Sequence, residues 1–166
     1  MLSIKSVQSS EYPLLFSLAQ DIWNLHYIPI IGETQVNYML HKMYSPTGLE
    51  KQRKEGQEFL FIYLKEDCIG FLGLSHKDGG FIHKFYIHPR LQGNGYGKQV
   101  FNLIVAHLGQ PKTITLTVNR ENYKSINFYF KLGFTILEVA DFDIGKGYFM
   151  NDFVMQWRQD RNPELN

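Results

Sequence analysis

A single cysteine, Cys68, rules out a disulfide framework within the chain. It opens the apolar run Ile69-Gly-Phe-Leu-Gly-Leu74, where the expected role is that of a small buried hydrophobe rather than a nucleophile. No apolar run approaches the about 18 residues that a membrane-spanning helix needs, and the N-terminus lacks a charged-then-apolar secretion signal. A soluble cytoplasmic protein without a membrane partner is the expectation. An excess of one charge is missing too. Lys and Arg number 17 against 16 Asp and Glu, a formal charge of +1. No basic cluster is interleaved with exposed aromatics, so nucleic acid is not an expected partner. No metal site is expected either. Repeats, low-complexity tracts and linkers are absent, and the 166 residues fit one domain with a short polar tail from about 159.

The hydrophobic pattern is read coarsely. Residues 2–7 look like a strand, and Ser10 begins a helix to about His26 with Leu14, Leu15, Leu18 and Ile22 on one face. Tyr27-Ile-Pro-Ile-Ile-Gly32 reads as an apolar loop, unusual because loops are normally polar. A second helix follows near Glu33–Tyr44 with Val36, Met39, Leu40 and Met43 at helical spacing, and Pro46 suits the first turn of a third that ends at Gly56. Strands are expected at 58–64, 69–75, 81–87, 113–118, 134–140 and 147–157.

The most informative stretch is Tyr86-Ile-His-Pro-Arg-Leu-Gln-Gly-Asn-Gly-Tyr-Gly-Lys98. A strand runs into glycines at 93, 95 and 97, and an amphipathic segment follows with Tyr96, Val100, Leu103, Ile104 and His107 in helical phase. Glycine lets backbone N–H groups approach a ligand, and the first turn of a helix leaves its N–H donors unpaired. Together they suit phosphate. A P-loop is excluded, because Gln92 stands where its first glycine belongs and Gln99 where its Ser or Thr belongs. The dinucleotide fingerprint fails at Lys98 and Val100. Gln92-x-x-Gly95-x-Gly97 resembles the pyrophosphate-binding signature of the GCN5-related N-acetyltransferase (GNAT) superfamily.

A second element resembles the same superfamily. Asn122-Tyr-Lys-Ser-Ile-Asn-Phe-Tyr-Phe-Lys-Leu-Gly-Phe134 is similar to the helix after its fifth strand. Read by itself it is also a helix, with Asn122 to cap its start, Gly133 to end it in the left-handed conformation, and Ile126, Tyr129 and Phe130 as its buried stripe. The alternating strand Thr113–Val118 lies between the two motifs. The resemblance is sharp over about residues 81–134 and architectural elsewhere. It implies an α/β (α+β) GNAT fold: a mixed, mostly antiparallel sheet of six to seven strands, flanked by about four helices and splayed between strands four and five. It implies acetyl-CoA as cosubstrate. The backbone of Phe85 and Ile87 would meet the pantothenate arm, and Gln92, Gly93, Asn94, Gly95, Tyr96, Gly97 and Lys98 the pyrophosphate. Asn122 is a further CoA contact.

Acetyl transfer from a thioester to an amine requires a deprotonated amine, because an ammonium with a pKa near ~10.4 has no lone pair. The leaving thiolate needs an acid, and a tyrosine with a pKa near ~10 is protonated at neutral pH. The resemblance gives that role to Tyr129. Many relatives carry a glutamate base on strand four; here the corresponding position is His83, with water as the alternative. The acceptor side, by resemblance, comprises Trp23, His26, Tyr27, Ile28, Tyr38 and the hairpin Asp141–Asp152, in an order that looks like bacterial polyamine N-acetyltransferases. Asp141, Asp143 and Asp152 are either receivers of a cationic substrate or plain turn and surface residues, the latter reading being favoured. The expected function is acetyl-CoA-dependent transfer to a primary amine of a small molecule. A protein or peptide acceptor, a non-catalytic acyl-CoA-binding module, and homodimer formation through the apolar loop and last strand remain open.

Overall fold

The computed structural model describes residues 1–161. Seven strands form one sheet in the order β1-β2-β3-β4-β5-β7-β6: β1 (Leu2–Ser6), β2 (Glu58–Leu64), β3 (Asp67–Ser75), β4 (Phe81–Ile87), β5 (Thr113–Asn119), β6 (Thr135–Gly145) and β7 (Tyr148–Arg158). Six helices accompany them: α1 (Tyr12–His26), α2 (Ile28–Ile31), α3 (Glu33–Tyr44), α4 (Pro46–Lys54), α5 (Tyr96–His107) and α6 (Tyr123–Leu132). The pairs β1–β2, β2–β3, β5–β7 and β6–β7 are antiparallel, and β4 runs parallel to β5 through Phe81↔Thr115 and Ile82↔Leu116. Contacts within the chain group it into two compact units, one of residues 1–75 with 83–104 and one of residues 76–82 with 105 onward.

In the first unit β2 and β3 are apolar on both faces and read as continuous buried runs, as inner strands should. Helix α1 buries Leu15, Ala19, Ile22 and Trp23 at i, i+4, i+7 and i+8, and α3 buries Val36, Met39, Leu40 and Tyr44. Ser45 caps α4 by accepting from Gly48 N at 3.2 Å, with Pro46 in the first turn. The helix faces differ from expectation in detail. Leu14 is exposed, and Tyr12 with Trp23 takes its place, so the buried stripe is rotated. Tyr27–Gly32 is not a loop. Ile28–Ile31 makes a helical turn whose amides bond back to Tyr27 and Ile28, so the apolar side chains ride on paired backbone. Cys68 is half-buried rather than enclosed, and burial pushes its thiol pKa up.

In the second unit β5 alternates, with Ile114, Leu116 and Val118 buried. Met155 and Trp157 of β7 are fully enclosed. Strand β6 is outermost, and Ile136, Leu137, Val139 and Phe142 along it are exposed. Helix α6 buries Ile126, Tyr129 and Leu132, whereas Phe130, expected in the stripe, is exposed. Of the polar tail, Gln159–Arg161 form a 3-10 turn and 162–166 lie outside the described residues.

Strands β3 and β4 touch more closely than side chains permit. A Cβ on Gly70 would sit 2.1 Å from the Tyr86 carbonyl oxygen and 3.0 Å from the Ile87 Cα, both backbone atoms that cannot swing aside. Gly70→Ala is therefore expected to cost about 3 kcal/mol, the upper end of ordinary overpacking, read as a lowered denaturant midpoint.

Candidate active site

The loop after β4 is built by local bonds. His88 N donates to Ile69 O at 2.8 Å, closing the strand end, and a 3-10 turn over Pro89–Leu91 follows. Gln92 turns back and donates from Nε2 to Ile87 O at 3.0 Å, while Asn94 Nδ2 donates to Leu91 O at 3.1 Å. Gly93 and Gly95 have φ of +85° and +76°, and a Cβ on either would meet nothing within 4 Å. Conformation, not crowding by the protein, demands glycine there. Gln99 N donates to Gly95 O, which starts α5, so by helix geometry the amides of Tyr96, Gly97 and Lys98 lack intrahelical acceptors. Lys98 is exposed beside them. Loop glycines followed by unpaired first-turn amides are an arrangement that suits an anion. The stripe of α5 is Val100, Phe101, Ile104, Val105 and Leu108, not a line through His107, which is exposed.

On β4, His83 is half-buried with Nε2 at 2.8 Å from Ser75 Oγ. When Nε2–H donates to Ser75, Nδ1 carries the lone pair that a base needs; when Ser75 donates, Nε2 is occupied. Phe85 is half-buried and Ile87 buried. Around Trp23 an aromatic group gathers: its ring centroid lies 4.6 Å from Tyr27, 5.7 Å from Tyr44 and 5.9 Å from Tyr86. The hydroxyls of Tyr27 and Tyr86 are 3.2 Å apart, and His26 packs edge-on to Tyr27 at 4.7 Å. Thus Trp23, His26 and Tyr27 are brought together, whereas Tyr38 stands by the Lys42 ammonium, 5.6 Å from its ring centre. Burial pushes the Tyr44 phenol well above its ordinary pKa, Tyr27 adds to this, and the Trp23 N–H opposes it without reaching hydrogen-bond geometry.

In the second unit Tyr129 is fixed by the way α6 ends. Gly133 takes φ +95°; its N–H bonds to Phe130 O, and Phe134 N–H to Tyr129 O, both at 3.0 Å, a Schellman closure. That closure lays the Tyr129 ring 5.5 Å from Phe134, with Phe128 at 5.3 Å, leaving it 8% exposed. Asn122 is buried and its Oδ1 accepts from Ser125 N at 3.3 Å, so it caps the helix.

These features point one way, and comparison with known proteins agrees. The family model described as Acetyltransferase (GNAT) family matches residues 19–134. The chain belongs to this GNAT family. A curated relative, the spermine/spermidine N(1)-acetyltransferase of Bacillus subtilis (strain 168), is 30% identical over 94 residues, covering 49% of this chain and 62% of that protein, so less than two thirds of the relative is matched. Among solved structures, the PaiA N-acetyltransferase from Thermoplasma acidophilum in complex with coenzyme A has a TM-score of 0.76 at 21% identity, covering 95% of this chain and 99% of that one. The spermidine N-acetyltransferase from Vibrio cholerae in complex with CoA and spermine has a TM-score of 0.68 at 16% identity, with 96% of each chain covered. At these identities the two structures establish a shared fold.

Sequence reasoning missed Tyr86, Ser75 and Lys84 of this GNAT chain. Lys84 left a trace, since it sits in strand phase with Ile82 and Tyr86 inside an apolar run. The hairpin carboxylates separate by role. Asp141 pairs with Arg120 at 2.7 Å, and Asp143 accepts from Gly145 N at 2.8 Å as a turn former. Asp152 is 1% exposed, and its Oδ1 has no hydrogen-bond partner among the described residues. Burial raises its pKa to about 6; Thr117 and Arg120 oppose this and Asp141 adds to it. Between the ordinary carboxylate value and about 6 the folded state holds a proton that the unfolded chain has released. Asp152 therefore lowers stability as pH rises through that window, and the loss is complete above it. Asp152→Asn is expected to flatten this part of the profile and raise the melting temperature at pH 7, checked by melts at pH 4.5 and 7 against wild type.

No helix of the described residues is long and apolar enough to cross a membrane, and no group of three or more His, Cys, Asp or Glu among them is placed to hold a metal.

Proposed function

We propose that this chain is an acetyl-CoA-dependent N-acetyltransferase of cytoplasmic setting that moves the acetyl group directly, in a ternary complex, to a primary amine of a small molecule. The observation that carries the reading is the start of α5, where two left-handed glycines, with nothing among the described residues within 4 Å of where a Cβ would stand, lead into first-turn amides without intrahelical acceptors, a geometry that suits a pyrophosphate. Gln92, Gly93, Asn94, Gly95, Tyr96, Gly97 and Lys98 take the pyrophosphate, the backbone of Phe85 and Ile87 takes the pantothenate arm, and Asn122 adds a contact. His83, directly or through water, accepts the proton of the amine as the C–N bond forms. Tyr129 gives its phenolic proton to the sulfur as the thioester C–S bond breaks. The acceptor side is assigned to His26, Tyr27 and Tyr38, with the buried Trp23 as the ring that supports Tyr27 from behind; the half-buried Tyr27 offers an aromatic surface of the kind that attracts a cationic carbon–nitrogen chain. The curated relative that acts on spermine and spermidine supports a polyamine or similar diamine.

Calorimetric titration with acetyl-CoA, followed by thiol release across amines including spermidine, tests the reading. Binding with thiol release is expected; binding without release from any amine shifts the acceptor to a polypeptide or makes the chain a sensor, and absence of binding overturns the pyrophosphate site. Tyr129→Phe is expected to reduce turnover at least tenfold, the ordinary scale of a lost acid, with acetyl-CoA affinity held. Gly95→Val is expected to abolish acetyl-CoA binding while the protein still melts cooperatively, because a β-branched residue does not hold the left-handed φ of +76° that shapes the loop, and no packed neighbour is disturbed.

A further inference from the structure

Lys84 is a lysine enclosed in the first unit with no carboxylate partner among the described residues. It is 2% exposed, and its amine donates to Gln52 Oε1 at 2.5 Å and Gln57 Oε1 at 2.9 Å. Nζ lies 5.7 Å from the centre of the Tyr44 ring and 5.4 Å from that of Phe59. Room for its stem comes from Gly73, where a Cβ would stand 3.0 Å from Lys84 Cδ and 3.1 Å from Gln57 Oε1. Gln52 in turn donates to Met43 O at 2.6 Å and Gly48 O at 3.0 Å, so the lysine is tied through one side chain to the end of α3 and to α4. A methionine, one heavy atom shorter, fills most of such a space without the cost of burying a charge. What the amine adds is direction: two fixed acceptors allow one placement of α3 and α4 on β4.

That placement reaches the acceptor side through packed rings. Tyr44 meets Trp23 edge-on at 5.7 Å, and Trp23 meets Tyr27 at 4.6 Å. We propose that Lys84 is a positioning residue for the acceptor, its buried amine fixing α3 and α4 on β4 and thereby, through the enclosed rings of Tyr44 and Trp23, the Tyr27 ring against which the amine lies. The inference rests on the acetyltransferase reading for the identity of the acceptor and on geometry alone for the link between Lys84 and α4.

Burial lowers the Lys84 pKa to about 7. The ionisable groups on the elements around it are Tyr44 of α3, whose ring it faces, Tyr12 of α1, which donates to Glu50 of α4 at 3.2 Å, and His83 and Tyr86 on its own strand, while its direct partners Gln52 and Gln57 are neutral amides. An opening of α4 that wets Lys84 restores its ordinary pKa, so the open state binds a proton more readily than the closed one. Below about pH 7 both states are charged and protection is at its floor; above it the closed state gains on the open one by up to tenfold per pH unit.

Hydrogen exchange of the α4 amides, corrected for intrinsic rate, is measured from pH 6 to pH 9 in wild type and Lys84→Met, alongside steady-state kinetics with spermidine. Wild-type protection is expected to rise at least tenfold across that range and Lys84→Met to lose the rise. The variant is expected to raise the spermidine KM at least fivefold, with kcat and the acetyl-CoA Kd within twofold. A flat wild-type profile, a rise that survives in Lys84→Met, or an unchanged spermidine KM overturns the proposal. Where Lys84→Met does not fold, the wild-type profile and Gln57→Leu, which leaves Gln52 in place, decide. A wild type that releases no thiol from any amine sinks the acetyltransferase reading, and the exchange measurement still decides whether Lys84 holds α4.

Discussion

Backbone of β3 and backbone of β4 meet at Gly70 at a distance that no other residue permits, and the first unit's candidate residues hang on the strand so placed. From β4 the chain presents His83 to Ser75, Lys84 to two glutamines, and Tyr86 to the Trp23 group, then runs into the loop whose Gln92 bonds back to the last β4 carbonyl. A one-residue slip of β4 would exchange its faces, turning the lysine toward the serine and the histidine toward the rings. Gly70 and Gly73 make room for the observed register, one by admitting a carbonyl and the other by admitting a lysine stem.

Elements governed by neighbours along the chain were legible in the sequence. The helix ends at Pro46, Asn122 and Gly133 rest on conformations and bonds spanning a few residues, and each forms as its residue type dictates. The alternation of β5 was equally plain. Faces were harder. Leu14 and Phe130 fit an apolar stripe by spacing yet are exposed, because the direction of a helix's buried side is set by what packs on it, which for α1 centres on Trp23 and for α6 on Tyr129. The Tyr27–Gly32 run reads as a loop because four residues give too little pattern to show a period, and Pro29 suggests a break where it instead occupies a first helical turn.

In the candidate site, the glycine loop and the α6 motif were visible because each is a contiguous string whose local geometry is the chemistry. Lys84 was not, and Asp152, read as a turn or surface residue, is instead enclosed, because a charged residue becomes a buried one only through partners far away in sequence: Gln52 is 32 residues from Lys84, and Asp152 sits across from Asn119 and Ala140 on two other strands. Both bury an ionisable group without a full counter-charge, and both have pKa values moved toward neutrality by the same cause, removal from water.

Strand β6 has a consequence for how the molecule behaves in crowded solution. At the margin of the sheet, with Leu137 and Val139 facing outward, it offers a foreign strand a ready template for aggregation. Its charged residues are all of one sign, Glu138, Asp141 and Asp143, so a second β6 laid alongside brings carboxylate against carboxylate. The acids act as gatekeepers, and the protection they give weakens in acid and in high salt, where their repulsion is titrated or screened away.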